Sequence, residues 1–184
     1  MSTFDTDITT ACSAASRGIE QACGRRFWAD SDATSVRYYG PPHSGPVLFI
    51  DDLVTLGSVK TDTSGGTTFG TTLAENTDFV LEPLNAAAET PAWPYTQVRL
   101  HPSGTGYWPQ YPRSIKITGK FGWPAVPQEI VRATTILAIK LFKRQDSPFG
   151  IFTAGVDEVT AMRIATSDPD VRFLIQPYTR MLNL

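Results

Sequence analysis

The chain has 184 residues, 41% of them hydrophobic and 18% charged, and a net charge of −2. That length and apolar content support one sizeable core or two small ones, and the near-neutral balance argues against a chain that is basic throughout, as a general nucleic-acid binder would be. Charged content falls below the usual quarter, so much of the surface is neutral, which suits burial against partners.

Residues 5–23 read as a first helix. Asp5, Thr6 and Asp7 offer N-caps and suit the positive helix start. Ile8, Cys12, Ala15, Ile19, Ala22 and Cys23 fall at helical spacing, a narrow stripe of mostly small side chains. Both cysteines are expected to be small buried hydrophobes. On one helix they lie about 16 Å apart along the axis, too far for a disulfide. Gly24 supplies the C-terminal stop. There is no basic-then-apolar signal pattern and no apolar run of membrane length, so the expected setting is a reducing cytoplasm with no membrane partner.

From residue 34 to 121 short β-prone runs are punctuated by Gly, Pro, Thr and Asp: 35–39, 47–50, 55–61, 78–81, 95–100 and 114–121. In the last, Ile115, Ile117 and Gly119 alternate with Lys116, Thr118 and Lys120, a half-buried strand. Residues 63–68, with Ser64-Gly65-Gly66, read as an exposed hairpin tip. The sum is about six strands in a small antiparallel sheet or sandwich.

Residues 127–145 carry the strongest helical pattern, with Pro127 suited to the first turn. Ile130, Val131, Leu137, Ala138, Leu141 and Phe142 cover one side and Ile139 widens it; Arg132, Ile136, Lys140, Lys143 and Arg144 share the other. An apolar zone that broad suits more than one neighbour, and Ile136, Ile139, Lys140 and Lys143 are candidates for a subunit interface. Residues 146–157 read as a loop carrying Phe149, Ile151 and Phe152, and 159–165 as a short strand. Ser167 or Asp168 caps a last helix with Pro169 in its first turn, which Pro177 should kink or end.

The order gives an α+β chain: a small α-helical platform of about three helices, residues 1–30 and 122–184, with an antiparallel β region, residues 31–121, inserted between the first two helices.

Catalytic constellations are thin. His43 and His101 sit beside prolines with no second ligand at metal spacing. Gly104-Thr105-Gly106 lacks the third glycine and the strand-to-helix setting of a dinucleotide loop. Asp51-Asp52 is best explained as a turn between strands, and Asp157-Glu158 as a solvated loop pair. No cofactor or metal is expected. Trp93, Tyr95, Tyr107 and Trp108 are open to three readings: loop rigidification, a protein contact through Trp93, Tyr107 and Trp108, or stacking on sugars or bases.

Three segments together resemble the head-to-tail connector proteins (head–tail adaptors) of long-tailed bacteriophages. Ile19-Glu20 followed by Gly24-Arg25-Arg26-Phe27 is similar to that family's Ile-Glu-x-x-x-Gly-Arg-x-Phe. Residues 117–127, ITGKFGWPAVP, followed by Ile130 and an Ala-containing helix that ends in basic residues, are similar to its strand-then-helix signature. Asp168-Pro169-Asp170-Val171 through Leu174, Pro177, Tyr178 and Arg180 are similar to its short last helix. The resemblance implies a non-enzymatic virion protein at the head–tail neck, made in the host cytoplasm. It implies a homo-oligomeric ring, commonly a dodecamer, between the portal protein and a stopper or tail-completion protein, through which packaged DNA passes without sequence-specific binding. By position it implies portal binding by the last segment, with Gln176, Tyr178, Arg180, Met181, Leu182 and Leu184 as candidates. A carbohydrate-binding β module, resting on the aromatic residues, is the alternative; an enzyme resting on Asp51, Asp52 and the histidines is a third.

Overall fold

The computed structural model describes residues 3–66, 68–145 and 158–180. Among the described residues, four α-helices and a six-stranded antiparallel sheet make the chain α+β. It divides into two compact units, Met1–Phe27 with Val126–Leu184, and Trp28–Ala125.

The first unit holds α1 (Thr3–Cys23), α2 (Gln128–Gln145), α3 (Glu158–Ser167) and α4 (Pro169–Ile175), four helices where about three were expected. Helix α1 packs on both α2 and α3. It buries Ala11, Ala14, Ala15, Ile19 and Cys23. A Cβ at Gly18 would stand 2.6 Å from the Cβ of Ala161, so α1 and α3 touch nearly backbone to backbone. This corrects the expected stripe. Ile8 is 49% exposed and Cys12 is exposed, because the close approach is made where the side chains are smallest, through Ala and Gly. Helix α1 ends in a Schellman motif: Gly24 N–H reaches Gln21 O (3.2 Å) and Arg25 N–H reaches Glu20 O (3.1 Å), with Gly24 at φ +61°.

Residues 159–165, expected as a strand, are helical. Their β-branched content favours a strand locally, but Ala161, Ile164 and Ala165 are buried together, a helical spacing that tertiary packing enforces. Asp168 caps α4 by accepting the Asp170 and Val171 N–H groups, and Pro169 opens the helix. Pro177 sits in a 3₁₀ turn, Gln176–Tyr178, that follows directly. The 146–157 loop lies outside the described residues.

The second unit is one sheet. Its strands are β1 (Ser35–Tyr39), β2 (Val47–Thr61), β3 (Thr71–Leu73), β4 (Phe79–Glu82), β5 (Tyr95–Leu100) and β6 (Ile115–Phe121). Their order is β1-β6-β2-β5-β4, with β3 also paired to β2. Strand β2 corrects a second expectation: it runs unbroken through Asp51-Asp52 instead of turning there. Register shifts between Phe49 and Leu53, Leu53 and Thr55, and Leu56 and Ser58 let it bend, so its first half pairs with β5 and its second with β6 and β3. Gly119 permits this on β6, since a Cβ there would lie 2.4 Å from Thr55 O. One face carries the core: Leu48, Ile50, Leu53, Val59, Phe79, Val98, Ile115, Ile117 and Phe121.

Candidate functional site

The segment after α4 is held within the helical unit. Tyr178 is buried, its hydroxyl donates to the Glu129 carboxylate (2.9 Å), and its ring meets Phe27 edge-on at 6.1 Å. Arg180 N–H then donates to Cys23 O (2.8 Å) at the end of α1. Burial, then the neighbouring Glu129 charge, pushes the Tyr178 hydroxyl up to about 12. Glu129 is held below the usual carboxylate range by its own backbone N–H and by Tyr178. Burial pushes the Cys23 thiol up to about 12, so it is an inert core group. Of the candidates for portal contact, Gln176 is exposed, Arg180 half-buried and Tyr178 internal; Met181, Leu182 and Leu184 lie outside the described residues.

Helix α2 buries Ile130, Ala133, Leu137, Ala138 and Leu141. Its opposite side shows Val131 (44% exposed), Arg132, Thr135, Ile139 (50% exposed) and Lys143. Val131, expected on the covered side, is therefore outward, because the buried stripe is narrower and centred on Ala133 and Leu137. Ile136 is half-buried. Lys140 has a partner in its own chain: its ammonium pairs with the Asp168 carboxylate that caps α4. That ammonium, the nearest cause, and the two cap N–H groups hold Asp168 below the ordinary range. Among the candidate interface residues, Ile139 and Lys143 are the two that face outward, joined by Val131 and Arg132.

In the β unit, Gly122 adopts φ +115°, and a Cβ there would lie 2.1 Å from Trp28 O. Gly122 N–H donates to Asp52 O (2.8 Å) and the Trp123 indole N–H donates to the Asp52 carboxylate (3.0 Å), so Asp52 and Gly-Trp fasten the end of β6 beside the bend in β2. Asp51 points the other way, to Arg37 (2.7 Å) and the Tyr39 hydroxyl (3.0 Å). Burial, then the charge of Asp51, raises the Tyr39 hydroxyl. Both acids thus serve the sheet. His43 and His101 are exposed, and no group of three metal-ligating side chains occurs among the described residues.

The aromatic residues divide. Trp108 is buried and its indole N–H donates to Pro46 O (3.0 Å). Trp93 packs on Trp123 with ring centres 5.0 Å apart. Tyr107 alone of the three candidates is largely exposed, at 56%. A stacking platform for sugar rings needs free ring faces; Trp108 buries its own in the core, and half-buried Trp93 sets its ring against Trp123. The register also assembles a group that the sequence leaves scattered: Lys60 on β2 lies opposite Lys116 on β6.

No protein-family model matches the sequence, and no curated protein is similar to it. Solved structures are similar in fold. A chain of the neck of a native GTA (gene transfer agent) particle, computed with C12 symmetry, superposes with a TM-score of 0.52 at 15% identity, over 96% of this chain and 85% of that one. A chain of the neck of an empty GTA particle, computed with C6 symmetry, gives 0.53 at 16% identity, over 98% and 82%. Both units of this chain therefore have counterparts in a neck protein of a phage-like particle, in agreement with the resemblance to head–tail connectors.

Proposed function

We propose that this chain is a structural neck protein that forms a homo-oligomeric ring between portal and tail of a phage-like particle, and extends the channel for DNA. The observation that carries the reading is the shared fold, over nearly the whole chain, with neck chains of particles computed with C12 and C6 symmetry. The three sequence segments that resemble head–tail connectors support it independently. The outward side of α2, Val131, Arg132, Ile139 and Lys143, is the subunit contact in this reading. Apolar residues set among cations suit a heterologous ring contact, where one surface meets a different one on the next copy. Portal binding falls to exposed Gln176, half-buried Arg180 and the residues that follow in sequence, with buried Tyr178 holding the 176–180 segment to the helical unit. The protein supplies no catalytic group in this role and needs no cofactor. Cryo-EM of intact particles tests the reading: density for this chain in a ring at the neck supports it, and density elsewhere in the particle, or none, overturns it.

A further inference from the structure

The face of the β unit opposite its core is basic. Strand pairing sets Tyr38, Lys116, Lys60 and Thr72 in one row across β1, β6, β2 and β3, because directly paired residues share a face. The next row is Val36, Thr118 and Ser58, and Lys120 beside Thr55 begins a third. Arg113 borders the first row, with its guanidinium 4.0 Å from the Tyr38 ring centre, and Lys116 lies 5.9 Å from the Phe69 ring.

Each other cation of this unit has an acid: Arg37 has Asp51 and Arg99 has Glu82. Lys60, Lys116, Lys120 and Arg113 form no ion pair among the described residues. Asp62, two residues after Lys60, is buried and its carboxylate accepts from the Ser64 N–H (2.9 Å) and hydroxyl (2.6 Å). Asp30 accepts from Phe121 N–H (3.2 Å), and Asp32 from Thr34. Like charges directly opposite in a sheet destabilise it, so Lys60 beside Lys116 is a cost that an external anion would remove.

We infer that this face binds the phosphate backbone of duplex DNA without reading sequence. Its composition selects that partner over an acidic protein. Lysine and serine are depleted at protein–protein interfaces. Lysine, arginine and the hydroxyls of serine and threonine are the usual donors to phosphate, and protein–DNA interfaces are polar and positively charged. The contact is loose, since lysine heads on flexible stems follow a backbone without fixing it. Such a contact tolerates movement of the DNA. The inference deepens the neck reading, on which it rests only for the source of the DNA.

The test is fluorescence anisotropy of the full-length protein with a labelled random-sequence duplex over a salt series. The expected result is binding at low salt with a log–log salt slope of about −3, one unit for each lysine engaged. Lys60→Gln/Lys116→Gln weakens binding at least about tenfold and flattens the slope by about 2. Its Tm stays at or above that of the parent, and Arg163→Gln on α3 leaves binding unchanged. Absence of low-salt binding, equal binding by the double variant, or equally tight binding of labelled polyglutamate overturns the inference, the last in favour of an acidic protein partner. Absence of DNA binding by the parent protein together with normal neck location refutes this inference alone, whereas DNA binding by a chain located elsewhere refutes the neck reading alone.

Discussion

The Tyr178 hydroxyl donates a 2.9 Å hydrogen bond to the Glu129 carboxylate, tying the chain after α4 to the first turn of α2. Truncation by Tyr178→Ala also removes the ring that packs on Phe27 and should cost about 3 kcal/mol or more, as aromatic core truncations do. Tyr178→Phe keeps the packing and isolates the bond, and its effect should depend on pH. Glu129 has a lowered pKa when folded, so its contribution is complete above the unfolded glutamate value and fades as pH falls through the lower folded one. Tyr178 has its pKa raised to about 12, so its contribution is complete below about 10 and is lost as pH climbs through 12. Wild type should exceed Tyr178→Phe at neutral pH, and the gap should close at both extremes, which chemical denaturation across pH will measure.

Helix α1 depends on having no side chain at Gly18. Gly18→Ala places a methyl group 2.6 Å from the Ala161 Cβ and should destabilise by about 1–3 kcal/mol through overpacking. Ala161→Gly should recover part of that loss, and a double-mutant cycle should give a coupling of at least about 0.5 kcal/mol. Additive losses would mean that the helices separate freely.

Asp168 serves α4 twice, as N-cap and as partner of Lys140. Asp168→Ala should cost about 1 kcal/mol, the usual value of a cap. Asp168→Asn should cost less, because the amide oxygen still accepts from the helix N–H groups. The folded carboxyl has a lowered pKa, so its contribution is present above the unfolded aspartate value and disappears as pH falls through the folded one. Melting curves of the three proteins between neutral and acid pH will separate cap from charge.

Much of this architecture was legible in the sequence because its signals are local. Gly24 as a helix stop, Asp168-Pro169 as a start, the alternation in Ile115–Phe121 and the end of β6 at Gly122 each follow from a few adjacent residues. The misreadings involve long-range partners. Asp51-Asp52 resembles a turn, and only the bulged pairing of β2 with two different strands shows that the chain continues. Residues 159–165 look β-prone until α1 is laid against Ala161 and Ala165. Three-residue β3 has no pattern long enough to read. The Lys60–Lys116 row was invisible, since it exists only in the sheet register. The likeness to head–tail connectors was readable because its motifs coincide with helix ends and a strand end, where local chemistry is strongest.

The outward side of α2 yields a prediction that separates folding from assembly. Ile139 is half-exposed, so Ile139→Asp should leave the Tm of the isolated chain within about 1 kcal/mol equivalent while ring formation fails. Ile136 is half-buried, so Ile136→Asp should lower the Tm as well. Sedimentation and negative-stain images of the two variants, assembled with the partner proteins of the particle, should show this split. Rings formed normally by Ile139→Asp would move the interface to another surface.

The most direct test of the central claim is a cryo-EM map of the neck of particles carrying this chain, calculated first without imposed symmetry. The expected map shows a closed ring of copies around the DNA channel between portal and tail, with α2 of each copy at its neighbour. A map that places the chain outside the neck, or as a single copy away from the channel, would contradict it.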